Sequence, residues 1–123
     1  MHKKIIIAGA INAFLAVALG AFAAHGLKNQ LGAYELRIWQ TAVDYQMAHA
    51  LGLILTGLLA KTLSINLNKP GWLMLGGIVL FSGSLYALSL SGIKSLGIVT
   101  PLGGLCLLAA WLWLTLSIAK SAK

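Results

Sequence analysis

The chain has 123 residues, of which 59% are hydrophobic and only 9% charged, and its formal net charge is +7. Mean hydropathy is +0.90. A soluble domain carries about 25% charged residues, so this composition excludes a water-exposed globular surface and points to one integral membrane domain spanning 1–123.

The positive balance is not read as affinity for nucleic acid. Lys and Arg fall mostly at the ends of apolar segments, where a bilayer positions them. The single cysteine, Cys106, lies in an apolar run and forms no intrachain disulfide. There is no CxxC or Cys/His metal spacing, no glycine-rich nucleotide loop, and neither HExxH nor GxSxG. The expectation is a protein without enzymatic activity, cofactor or metal.

The first span is predicted over residues 5–24, after the basic head Met1-His2-Lys3-Lys4. Ala21-Phe22-Ala23 looks like a signal-peptidase site. The apolar stretch of about 20 residues, however, suits a full crossing better than a signal peptide's short apolar region. Residues 27–41 are the most polar part of the interior, with Lys28, Asn29, Gln30, Glu35, Arg37 and Gln40. Leu31, Tyr34, Ile38 and Ala42 share a helical face there. That pattern predicts a short interfacial helix before span two, either turning into the span or running unbroken into it. Tyr34 and Trp39 suit headgroup depth.

Span two is placed at 41–60, ending at Lys61, and a polar loop follows to Lys69. Span three runs 70–91, opened by Pro70 as a first helical residue. Gly92 to Val99 is read as a loop. Thr100-Pro101 then reads as an N-cap followed by proline at the first helical position, opening span four at 101–119. The predicted fold is all-α, a four-transmembrane-helix up-down bundle. With both ends on one side, that side holds Lys3, Lys4, Lys61, Lys69, Lys120 and Lys123, against Lys28, Arg37 and Lys94 on the other. The bias puts both termini in the cytoplasm and the bundle in the cytoplasmic (inner) membrane.

Small residues recur at helix-packing spacings. Span one carries Gly9, Ala13, Ala16, Gly20 and Ala24, and span two carries Gly52, Thr56 and Ala60. Span three repeats Gly77, Ser84 and Ser91 beside Gly76 and Gly83. Gly103 and Gly104 sit in span four. Such stripes let backbones approach closely in lipid, within one chain or between copies of it.

Polar groups gather at one depth. At 1.5 Å per residue, Asp44 enters span two about 5 Å below the outer boundary and His49 about 12 Å below it. Span three returns outward, putting Tyr86 about 8 Å below the same boundary, with Ser84 and Ser82 deeper. His25 ends span one there, and Thr100 begins span four. Tyr45 and His49 are i,i+4 neighbours. Apart from Asn12, the cytoplasmic half is nearly pure hydrocarbon. The candidate polar cluster is therefore His25, Asp44, Tyr45, His49, Ser82, Ser84, Tyr86 and Thr100. Two readings stand for Asp44: a structural pair with His25, Arg37 or Lys94, or a proton or solute site. His49 is a neutral core imidazole or a proton relay. Two histidines on two helices are a weak haem or metal signal.

Four ordered motifs resemble a known family. They are Gly20-Ala21-Phe22-Ala23-Ala24-His25-Gly26-Leu27; Trp39-Gln40-Thr41-Ala42-Val43-Asp44-Tyr45-Gln46 with His49-Ala50-Leu51; Phe81-Ser82-Gly83-Ser84-Leu85-Tyr86; and Thr100-Pro101-Leu102-Gly103-Gly104. Together they are similar to the YgdD-type small integral membrane proteins, a domain of unknown function, over nearly the whole chain. The resemblance implies multi-pass insertion in the bacterial cytoplasmic membrane, with relatives in eukaryotes, and little chemistry. Ala23 and Ala110-Trp111 depart from the glycines expected at those places, both as small-residue exchanges. The reading that follows is a non-enzymatic structural or accessory protein supporting envelope integrity. It contacts lipid and, by its small stripes, a second copy or another membrane protein, and no nucleic acid. The alternative is a small proton or solute conduit using Asp44 and His49, with Tyr86.

Overall fold

A computed structural model describes residues 2–121. Four helices follow in order: α1 (His2–Phe22), α2 (Ala33–Leu63), α3 (Asn68–Ser91) and α4 (Val99–Lys120). A π-helical turn, Ala23–Leu27, continues α1, and a 3-10 turn, Lys94–Ile98, leads into α4. Among the described residues, all four helices are long and apolar enough to cross a bilayer. The protein is an all-helical integral membrane protein.

Residues 33–41 form no separate interfacial helix; the polar segment runs unbroken into span two. With 31 residues, α2 is about 46 Å long, against a hydrocarbon core of about 30 Å. Its first turns therefore project beyond the apolar zone and carry Glu35 and Arg37. No turn signal interrupts the sequence, and the one β-branched hydroxyl at the junction, Thr41, bonds back to the Arg37 carbonyl at 3.0 Å. The loops are shorter than the sequence suggests. Only residues 64–67 separate α2 from α3, and the segment read as a loop after Gly92 contains the 3-10 turn.

The C-terminal ends of α2 and α3 are set by backbone conformation, whereas α3 starts with the Asn68 N–H donating to Asn66 Oδ1 at 2.9 Å. Gly92 closes α3 with φ 72° and donates to the Leu88 carbonyl at 2.8 Å, a left-handed cap that glycine takes without a Cβ clash. Ser64 closes α2 with φ 54°. Thr100 does not cap α4: the helix already begins at Val99, and its N-cap residue, Ile98, makes no side-chain cap bond. Pro70 is the third residue of α3 rather than its first, still within the turn whose N–H groups have no helical partner.

Consecutive helices pack against each other, α1 on α2, α2 on α3 and α3 on α4, while α1 meets α3 only lightly. The α1–α2 and α3–α4 connections lie together at one end of the bundle, the head end, where Ser89 reaches Glu35. The start of α1, at His2, lies beside the α2–α3 connection at the tail end. The main core joins Ile5, Leu53, Met74, Ile78, Leu107 and Ala110. A second cluster of Ala23, Leu27, Trp39 and Val43 closes the head end, and Ala60, Leu67 and Leu114 close the tail end. Outward faces are apolar as well: Phe14 and Val17 on α1, Leu105 and Leu108 on α4 are well exposed. An exterior of this kind suits hydrocarbon, which asks no polar surface of the protein.

The small-residue stripes divide into contacts and bystanders. A Cβ on Gly77 would fall 2.8 Å from Leu107 Cγ, and one on Gly103 would fall 2.7 Å from Phe81 Cα. Gly52 faces Met74 and Trp111 at about 3 Å, and Gly20 faces Val43 at 3.3 Å. Gly76 and Gly83, in contrast, have nothing within 4 Å, and Gly104 meets only the Phe81 ring at 3.8 Å. Two of the tightest approaches lie outside the predicted set. A Cβ on Gly57 would sit 2.8 Å from the His2 carbonyl oxygen, and one on Gly71 2.7 Å from Ile5.

Candidate functional site

A chain of carboxamide and phenol groups crosses three helices. The Tyr86 hydroxyl on α3 donates to Gln46 Oε1 on α2 at 2.6 Å. Gln46 Nε2 donates to Asn12 Oδ1 on α1 at 3.1 Å, and Asn12 Nδ2 donates to the Ala8 carbonyl at 2.9 Å. Every donor points the same way along the chain, ending on backbone. Gln46 and Asn12 are buried. In hydrocarbon each amide must find a partner, because no water is there to take its place.

Shorter links flank this chain. Ser82, fully buried, donates to the Ala42 carbonyl at 2.8 Å and so ties α3 to α2. The Trp39 indole donates to the Leu19 carbonyl at 2.9 Å and ties α2 to α1. Its ring also packs edge-on against Tyr86, with centroids 4.7 Å apart. Ser84 on α3 shares a hydrogen bond with Thr100 on α4, which is what the threonine does instead of capping. Nearer the head end, Ser89 reaches the Glu35 carbonyl at 3.2 Å. All buried side-chain nitrogen and oxygen atoms among the described residues have partners.

The predicted cluster therefore assembles only in part. Ser82, Ser84, Tyr86 and Thr100 lie between helices, in three separate links rather than one cluster. Asp44 does not join them. It is exposed on the outside of α2 and accepts a hydrogen bond from Gln40 Nε2 at 2.8 Å, rather than meeting His25, Arg37 or Lys94. The reason is angular: five residues separate Asp44 from His49, which turns them about 140° apart on the helix. One faces out and the other in, so the two do not meet within one chain. His25 is likewise exposed, in the π-helical turn. That turn packs beside Trp39, and His49 lies ten residues further along α2, about 15 Å down the axis. The two histidines share no site. Among the described residues no group of three His, Cys, Asp or Glu side chains could hold a metal ion.

Tyr45 and His49 form a separate aromatic group. Their rings stack at 5.9 Å and 13°. Tyr45 meets Phe81 at 4.3 Å, and His49 meets Trp111 at 5.7 Å. His49 Nδ1 lies 2.7 Å from the Tyr45 carbonyl oxygen. Tyr45 itself is 43% exposed, whereas His49 is 7% exposed.

Gln46 is the residue that sequence reasoning missed, and Asn12 was set aside as an exception. The signal was available in the residue types. Each is a carboxamide inside an apolar span, and such groups are paired by default. Their partners, 34 and 40 positions away, were not legible without the helix rotations.

Comparison with known proteins agrees with this architecture. A family model described as a protein of unknown function (DUF423) matches residues 19–104. A UPF0382 membrane protein of Staphylococcus saprophyticus is 50% identical over 118 residues, covering 96% of this chain and 98% of the relative. The UPF0382 membrane protein YwdK of Bacillus subtilis is also 50% identical, with the same coverage of both chains. No solved structure matches. With four apolar helices and relatives similar along nearly their whole length, the chain belongs to the DUF423 family of UPF0382 membrane proteins.

Proposed function

We propose that the protein is a non-enzymatic structural or accessory element of the cytoplasmic membrane, of the YgdD type within its family, that supports envelope integrity. Both termini face the cytoplasm, on the strength of the lysine and arginine bias. One observation carries the reading. The polar groups inside the helices bond from helix to helix, as in Tyr86–Gln46–Asn12 and Ser82–Ala42. Groups committed in this way hold helices together. A conduit needs polar groups that face a continuous path, and Asp44 and His49 lie on different faces of α2.

The test combines a cell and a vesicle. A chromosomal deletion strain is expected to lose resistance to a membrane-perturbing detergent. Wild-type protein and Asp44→Asn should restore it, and Gln46→Leu should not. Purified protein in liposomes is expected to pass protons no faster than empty liposomes. Proton flux above that background, abolished by Asp44→Asn without a change in melting, would overturn the structural reading in favour of a conduit.

A further inference from the structure

Beside the stacked Tyr45 and His49 rings lies a groove of about 490 Å³ between α2, α3 and α4. Its walls include Tyr45, His49, Phe81, Pro101, Gly104 and Trp111. From Pro101 to Trp111 it follows one face of α4 for about 15 Å, starting at the head end. Gly104 makes room for it: a Cβ there would meet only the Phe81 ring, at 3.8 Å and beyond. The volume is in the range of small-molecule sites, about 300–1,000 Å³.

The Tyr45 hydroxyl and the Trp111 indole N–H, on half-exposed rings, have no described partner, and on the buried His49 one ring nitrogen is also unsatisfied. A carbonyl can only accept, so the His49 nitrogen 2.7 Å from the Tyr45 carbonyl oxygen carries the proton. In the neutral imidazole the other nitrogen, Nε2, is then an acceptor. No described donor reaches it, although among the described residues every fully buried side-chain nitrogen or oxygen has a partner. Nε2 therefore opens on the groove, on a side chain that is 7% exposed. An acyl chain filling the space would leave this lone pair unpaired in hydrocarbon, which is costly. A saturated alcohol would pair it but make little use of the rings around it. A planar ring bearing a hydroxyl satisfies both features. Its O–H donates to Nε2 while its face packs offset or edge-on against Tyr45, Phe81 and Trp111.

We infer that this groove is a binding site for a lipid-soluble hydroxylated aromatic ring of the hydroquinone type, held by an O–H donated to His49 Nε2. The site shares no side chain with the Tyr86–Gln46–Asn12 chain.

Equilibrium dialysis of the protein in lipid nanodiscs, against matched empty nanodiscs, tests it with four probes: decyl-hydroquinone, its dimethyl ether, decyl-benzoquinone and decyl alcohol. Decyl-hydroquinone is expected to bind about three- to tenfold more tightly than the ether or the quinone, which lack the donor. It should also exceed decyl alcohol by a similar factor of about three to ten, the contribution of the ring contacts. His49→Phe keeps a flat ring and removes the acceptor, and should bring the hydroquinone down to the level of its ether. Gly104→Leu fills the groove and should abolish binding of all four probes. Equal binding of hydroquinone and ether by the wild-type protein, which involves no variant, overturns the inference. So does binding of decyl alcohol as tight as that of the hydroquinone, or a hydroquinone affinity unchanged by His49→Phe.

Discussion

At the scale of single residues, polarity and burial part company along α2. Asp44 bears the only formal charge between Arg37 and Lys61, yet it is exposed and held by an exposed neighbour, Gln40. Asp44→Asn keeps an acceptor for that amide. Its expected effect on stability in detergent is within about 0.5 kcal/mol, as for most surface exchanges. Gln46, uncharged and two positions on, is buried between Tyr86 and Asn12. Gln46→Leu strands a phenol and an amide away from water and should cost about 1–3 kcal/mol. Tyr86→Phe removes one partner of the same chain and should cost less, since interhelical bonds in membranes average about 0.6 kcal/mol. Thermal melting of the three variants side by side checks the order. A larger loss for Asp44→Asn than for Gln46→Leu would mean that the charge, not the amide chain, holds the helices.

At the scale of elements, small residues matter only where a neighbouring helix lies against them. Gly57 lets α2 approach the start of α1, and Gly103 lets α4 approach α3 at Phe81. Leucine at either position should force the helices apart and lower the melting temperature in detergent markedly, as overpacking costs about 1–3 kcal/mol or more. Gly83 has open space beside it, so Gly83→Leu should leave melting unchanged or, through leucine's better helix propensity, slightly raised. Comparable losses at Gly57 and Gly83 would show that Gly83 is covered in the membrane by a second copy of the chain. The stripe pattern marked candidates on every helix. It could not say which face of each helix is turned inward.

At the scale of the whole molecule, α1 and α4 are the flanks and α2 the centre. The flanking helices present mostly apolar side chains outward, and α2 holds the largest set of buried residues. Orientation in the bilayer rests on the distribution of Lys and Arg between the two ends. With Cys106 replaced, single cysteines placed by His2→Cys or Ser64→Cys should resist an impermeant thiol reagent added outside intact cells. Gln30→Cys and Lys94→Cys should react. The reverse labelling pattern would turn the molecule over and place the head end, with its polar links, on the cytoplasmic side.

Membrane class, four crossings and the approximate position of each were determined by the sequence alone. These properties are local: a bilayer responds to the hydropathy of about 20 consecutive residues and to charges at their ends. The tertiary structure decided which polar groups meet. That depends on the rotation of each helix, at about 100° per residue, and on which faces the packing turns together. One residue of misplacement swings a side chain from the core to the lipid. Hence depth reckoning found Ser82, Ser84, Tyr86 and Thr100, misassigned Asp44 and passed over Gln46. The continuity of α2 and the short α2–α3 connection were likewise settled by packing. The buried Trp39, bonded to α1 and set against Tyr86 of α3, holds the polar start of α2 in line with the apolar helix that follows.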